Sequence, residues 1–177
     1  GDLWAIHAVA HVLEMEQRWE EGVAWIGSDN PGLEGRPGFA GHLWWHQALA
    51  LWALGRHAEA LDSFDRHIYP GQSEEGLDLT NAIALLARLE TVGVDVGPRW
   101  ERLVAPAVVR LGQHSNPFND THMVLALSRA GRHHEASAML AGMAAWSARA
   151  DDHAADVLRQ AGLAVARGLV AYGRGQW

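Results

Sequence analysis

The reactive side chains of this sequence are mostly histidines. The segment HAVAHVLE sets His7 and His11 four residues apart, with Glu14 three further on. On a helix, residues i and i+4 stand about 5–6 Å apart at Cβ, so His7 and His11 can share one metal ion. Glu14 rises ~10.5 Å along the axis from His7, too far for a three-ligand site on one straight helix. A third ligand must come from another helix. His42 and His46 repeat the same spacing in HLWWH, and Asp120 and His122 follow in NDTH. His7, His11 and His46 are therefore the metal-ligand candidates. Together with Asp120 and His122 they are also the candidates for acid–base catalysis, with Asp120 placed to orient an imidazole. Ala8 stands where a zincin helix carries its glutamate, so that signature is absent. The same residues equally suit a helix that lines a groove or packs with its histidines hydrogen-bonded, and both readings stand at this point.

Composition narrows the chemistry further. The chain has 177 residues and no cysteine, and all 14 of its basic residues are arginine. Thiolate nucleophiles, disulfides and Cys-ligated zinc are excluded, as are a Schiff-base lysine and a phosphate-loop lysine. Catalysis, if any, must use His, Asp, Glu, Ser, Tyr or a metal; no other cofactor is expected, and a divalent metal only if the histidines ligate. A net charge of -7 argues against a nucleic-acid partner. No apolar run approaches the roughly 18 residues of a membrane span, and no charged-then-apolar leader opens the chain, so a cytoplasmic protein is expected. At 49% hydrophobic and 20% charged, the sequence can bury a core.

The elements that must hold these side chains are helices in repeat. Leucines close the first helices at positions 13, 51, 89 and 127, and turn residues follow at Gln17, Gly55, Gly93 and Gly131, each series stepping by 38. Glycine suits such a turn because it takes the left-handed conformation that ends a helix. Four residues later come Glu21-Gly22, Glu59-Ala60 and Glu135-Ala136, where the small residue lets a second helix approach closely. Apolar residues then recur at helical spacing, as in Ala60, Leu61, Phe64 and Ile68. Strand signals are nearly absent. The expected fold is all-α: a single α-solenoid domain of helical hairpins with a 38-residue repeat, in units near 1–28, 39–69, 77–112 and 117–148 with a partial unit at 151–177.

WWHQALALWALGRHAEALDSFDRHI resembles a tetratricopeptide repeat, with Trp44, Leu51, Gly55, Ala60 and Phe64 at its signature places. Four segments extend the likeness over nearly the whole chain: HAVAHVLEMEQRWEEGVAWI, LWWHQALALWALGRHAEAL, LDLTNAIALLARLETVGVDVGPRWERL and FNDTHMVLALSRAGRHHEA. Together they resemble the bacterial branch of the tetratricopeptide repeat protein 38 family. That resemblance implies an α-solenoid and no established reaction. It also implies that the chain is part of a longer protein, with helices before His7 and a repeat after AYGRG. Asn81 stands where the family leads one to expect an acid. The third unit departs most, with VGVDVGPRW lengthening its turn and Pro98 in place of the small residue.

Aligning the repeats puts His7, His11 and Glu14 in the columns of Trp45, Leu49 and Trp52, which in such hairpins tend to face a groove. His7, His11, Glu14, His42, Trp45 and Trp52 are therefore the expected ligand-facing set, for a peptide, a protein or a small polar ligand. Trp25, Trp44 and Trp100 suit the core. His46 and His122 share a column and suit interhelical packing; Asn116 before Pro117, or Asn119 or Asp120, suits a helix cap. His133 and His134 suit a solvated helix start, and His57 and His67 carry no functional reading. Ser28–Gly41 and Tyr69–Gly76, rich in Gly and Pro, read as loops. Gly175 is expected to open a further turn whose second helix is missing, so Leu163, Leu169 and Val170 are expected to be covered by another copy or another chain.

Overall fold

A computed structural model describes residues 2–33, 38–71, 73–114, 116–149 and 151–176. Parts of the two expected loops (residues 34–37 and 72), Ala150 and Trp177 lie outside the described residues. The described chain is all-helical, without a strand, and divides into two compact units, Gly1–Val96 and Gly97–Trp177. No described helix is long and apolar enough to cross a membrane.

The first unit holds α1 (Leu3–Met15), α2 (Trp19–Ile26), α3 (Phe39–Ala53), α4 (His57–Ser63, continued by a wide turn over Phe64–Ile68) and α5 (Gly76–Thr91). The Asp2 carboxylate caps α1 by accepting from the Trp4 N–H at 2.9 Å. α3 packs against α1, α2, α4 and α5. It is accordingly apolar around most of its girth: Leu43, Trp44, Ala48, Leu49 and Leu51 are all buried. Trp25 of α2 donates its indole N–H to the Ile6 carbonyl of α1 at 3.0 Å, fixing the first hairpin.

The second unit holds a tight turn at Gly97–Leu103, then α6 (Val104–Val108), α7 (Pro117–Arg129), α8 (His133–Arg149), α9 (His153–Val157) and α10 (Leu163–Gly173), the last two joined through a wide turn over Leu158–Gly162. Asn116 is the residue that caps α7, accepting from the Phe118 and Asn119 N–H groups, with Pro117 in the first turn. Met123, Val124 and Leu127 of α7, Met139 and Met143 of α8 and Leu158 form its core. α10 returns onto α7 so closely that a Cβ at Gly173 would lie 2.6 Å from the Ser128 Cβ.

The helix ends share one construction. Gln17, Gly55, Gly93 and Gly131 have positive φ, at 58°, 73°, 81° and 73°. In each case the next residue's N–H reaches back to the leucine five positions earlier, so Leu13, Leu51, Leu89 and Leu127 accept at 2.8–3.1 Å from Arg18, Arg56, Val94 and Arg132. This is the Schellman arrangement, and it satisfies carbonyls that the helix ends leave open. The four leucines are all buried. After three of the turns, an arginine clamps the glutamate three residues on: Arg18–Glu21, Arg56–Glu59 and Arg132–Glu135. These pairs lie at the surface, where water and salt screen them, so they contribute little to stability.

Candidate functional site

Because α3 is enclosed on several sides, its two histidines are carried into the seam with α1. His46 is buried, His7, His42 and Glu14 are half-buried, and His11 is exposed. The four imidazoles meet mainly edge to face. Ring centroids lie 4.3 Å apart for His7–His11, 4.5 Å for His11–His46, 4.8 Å for His7–His42 and 5.0 Å for His7–His46.

The nitrogen contacts define a network. His7 Nε2 lies 3.0 Å from His42 Nε2 and 3.1 Å from His46 Nε2. The outer nitrogens of both partners are occupied: His46 Nδ1 stands 2.9 Å from Glu14 Oε2, and His42 Nδ1 stands 3.2 Å from Asn81 Oδ1 on α5. A carboxylate or an amide oxygen can only accept, so each outer nitrogen carries the proton and each Nε2 presents its lone pair inward. The Nε2–H of His7 can serve both lone pairs at once.

Charge on the cluster is opposed by its surroundings. Burial, then the neighbouring His42, His11 and His7, push the His46 pKa down to about 3. Glu14 favours the single Nδ1 proton of a neutral ring, while desolvation and the like-charged neighbours oppose a second one. Burial also lowers His7, with His42 and His11 adding to the effect, and burial lowers His42 against the Asn81 hydrogen bond. Near neutral pH these three rings are neutral, the form that ligates metals.

Aromatic groups border the histidines. Phe39 packs on His7 at 5.0 Å, and Trp4 on Phe39 at 4.5 Å. Trp45 stacks on His42 at 5.6 Å with the rings 13° apart, and the Arg88 guanidinium sits 5.7 Å over Trp45. Trp52 donates its indole N–H to the Arg88 carbonyl at 3.1 Å. The structure therefore brings His7, His11, Glu14, His42, His46, Trp45 and Trp52 together in one unit. Among the described residues, the donor atoms of His7, His11 and His46 all lie within 4.8 Å of one another, a spacing that can hold a metal ion. Glu14, too far along the helix to be their co-ligand, instead holds His46. Asn81 holds His42 where an acid was expected. Its signal in the sequence was position: Asn81 follows His42 by 39 residues, close to the expected repeat length.

Asp120 and His122 belong to the second unit. Asp120 Oδ2 faces His114 Nδ1 at 3.4 Å, short of hydrogen-bond geometry, with both side chains buried. Burial raises the Asp120 pKa to about 7 and lowers that of His114. His122 Nδ1 donates to the Phe118 carbonyl at 2.8 Å, and its ring packs on Phe118. His114 carried no periodic signal, since it precedes α7 in an irregular stretch. Its room is made by Gly142 of α8, where a Cβ would fall 2.6 Å from His114 Nε2. His133 and His134 are exposed in the first turn of α8, and His67 stacks on the buried Trp44 at 4.1 Å.

No family model matches this chain, and no solved structure matches it.

Proposed function

We propose that the chain is a tetratricopeptide-like binding scaffold, akin to the tetratricopeptide repeat protein 38 family, whose ligand face is formed by α1, α3 and α5. The 38-residue solenoid register is supported by the four left-handed turns at 17, 55, 93 and 131, each with the same reach-back bond to a buried leucine. The observation that carries the binding role is the grouping of His7, His11, His42 and Trp45, bordered by Trp4, Phe39 and Arg88, on helices one repeat apart. Aromatic rings beside neutral, hydrogen-bonding imidazoles suit a polar ligand with flat or apolar parts, such as a peptide. Trp4, 69% exposed, and the exposed His11 make the face reachable.

A histidine-dependent, metal-assisted enzyme on the same face is the second reading. It is favoured by the meeting of Nε2 atoms at 3.0–3.1 Å.

The test is selection from a random peptide library on untagged protein in EDTA, followed by titration of the selected peptides. Binding is expected to fall at least tenfold on Trp45→Ala and on His11→Ala. Peptides bound equally well by both variants would remove this face as the ligand site.

A further inference from the structure

The histidine seam supports a more specific assignment, which rests on the ligand face described above. We propose that His7, His11 and His46 bind one divalent transition ion of the zinc class, with His42 supplying a fourth nitrogen.

The donor geometry comes first. A tetrahedral zinc with Zn–N bonds of about 2.0–2.1 Å sets its nitrogens about 3.4 Å apart. His7 Nε2 already lies 3.0 and 3.1 Å from the Nε2 atoms of His42 and His46. His11 is the outlying member, within the 4.8 Å span of the His7–His11–His46 group. Its ring is exposed and packs on both His7 and His46, whereas His46 is buried.

The orientation of the lone pairs comes second. Glu14 on His46 Nδ1 and Asn81 on His42 Nδ1 commit both Nε2 lone pairs to the centre of the cluster. Outer hydrogen bonds of this kind fix ligand rings around metals and raise their basicity. In the metal-free seam, the His7 Nε2–H stands between two lone pairs. When His7 shifts that proton to Nδ1, a third lone pair turns to the same point, and a cation there replaces the proton as the shared partner.

The donor set decides the ion. Four imidazoles without a thiolate or an inner carboxylate suit zinc, cobalt, nickel or copper(II), and do not suit magnesium or calcium, which take oxygen. Pairs of His-x3-His on two helices that pack on each other also make the ion a tie between α1 and α3.

The experiment uses the whole chain without a histidine tag, stripped with EDTA and titrated with cobalt(II). One equivalent is expected to give the intense visible absorption of four-coordinate cobalt, and zinc is expected to bleach it stoichiometrically. His11→Ala and His46→Ala should abolish one-to-one binding. Glu14→Gln should weaken it roughly 10–100-fold while keeping the spectrum. His42→Ala should retain the ion with a weaker spectrum of higher coordination number. His133→Ala should change nothing. If His46→Ala fails to fold by circular dichroism, the exposed His11→Ala decides alone. Absence of stoichiometric cobalt and zinc binding by the wild-type chain, or binding that survives His11→Ala, overturns the assignment. Peptide binding in EDTA that is lost on Trp45→Ala would then leave the ligand face standing. The converse result, metal bound and no peptide selected, would remove the peptide reading and keep the metal.

Discussion

Substituting Asp120 by Asn should expose a pH dependence that the wild-type protein conceals. Asp120 and His114 face each other at 3.4 Å inside the second unit, and burial shifts them in opposite directions. Asp120 is raised from 3.8 to about 7. Between those values the folded state holds a proton that the unfolded chain has released. Its contribution to stability is therefore lost as pH rises, at about 1.4 kcal/mol per pH unit and roughly 4 kcal/mol over the whole span. His114 is lowered from 6.5. Below 6.5 the unfolded chain takes up a proton that the folded state refuses, so this contribution is lost as pH falls, with the same slope. In the window just below 6.5 the two slopes cancel, and the wild-type profile is flat. Asp120→Asn removes the first and leaves the second, so stability should climb towards pH 6.5, at no more than about 1.4 kcal/mol per unit. His114→Gln should do the reverse and decline from about pH 4 to 7. At pH 8 the Asn variant should exceed wild type by up to roughly 4 kcal/mol, the cost of a charged carboxylate buried without a charged partner. Urea unfolding at matched ionic strength across this pH range, followed by tryptophan fluorescence, measures all three profiles. An Asp120→Asn profile as flat as wild type just below pH 6.5 would refute the reasoning.

Two further outcomes are expected from the helix ends. Leu51→Ala should cost about 2–5 kcal/mol in urea unfolding, because Leu51 is buried at 3% exposure and closes α3; a loss below half a kcal/mol would show that the site collapses around the gap. Gln17→Gly should stabilise by about 1 kcal/mol, since Gln17 is the one non-glycine among the described positive-φ residues, and a lower urea midpoint for the variant would speak against strain at that turn.

The helical periodicity and the turns were legible because they are local. Gly55, Gly93 and Gly131 announce a left-handed end within the span of one helical turn, and the leucine five residues back from each bond donor follows from the same geometry. The His-x3-His pairs were legible as helix faces for the same reason. Their partners were harder to read. His42 meets His7 across 35 residues, His46 meets Glu14 across 32, and His42 meets Asn81 across 39. Those contacts depend on how neighbouring hairpins sit side by side, which spacing along one helix does not encode. Glu14 shows the difference: its rise along α1 excluded it as a co-ligand of His7, but only the position of α3 shows that it holds His46. His114 was invisible because its burial depends on an absent side chain at Gly142, in the middle of α8 and far from it in sequence.

The contact between Gly173 and Ser128 ties the length of one segment to the shape of another. A Cβ at position 173 would meet Ser128 at 2.6 Å, so α10 can lie on α7 only with glycine at that point, like a key with one notch. The helix reaches that point through the wide turn Leu158–Gly162, which holds more residues per turn than an ordinary helix. Deleting a single residue there would rotate everything beyond it by about 100° and bring Arg174 into the place of Gly173 at the notch. Natural variation in this stretch should therefore change the side chain freely at exposed Gln160 while keeping the residue count between Leu158 and Gly173 unchanged.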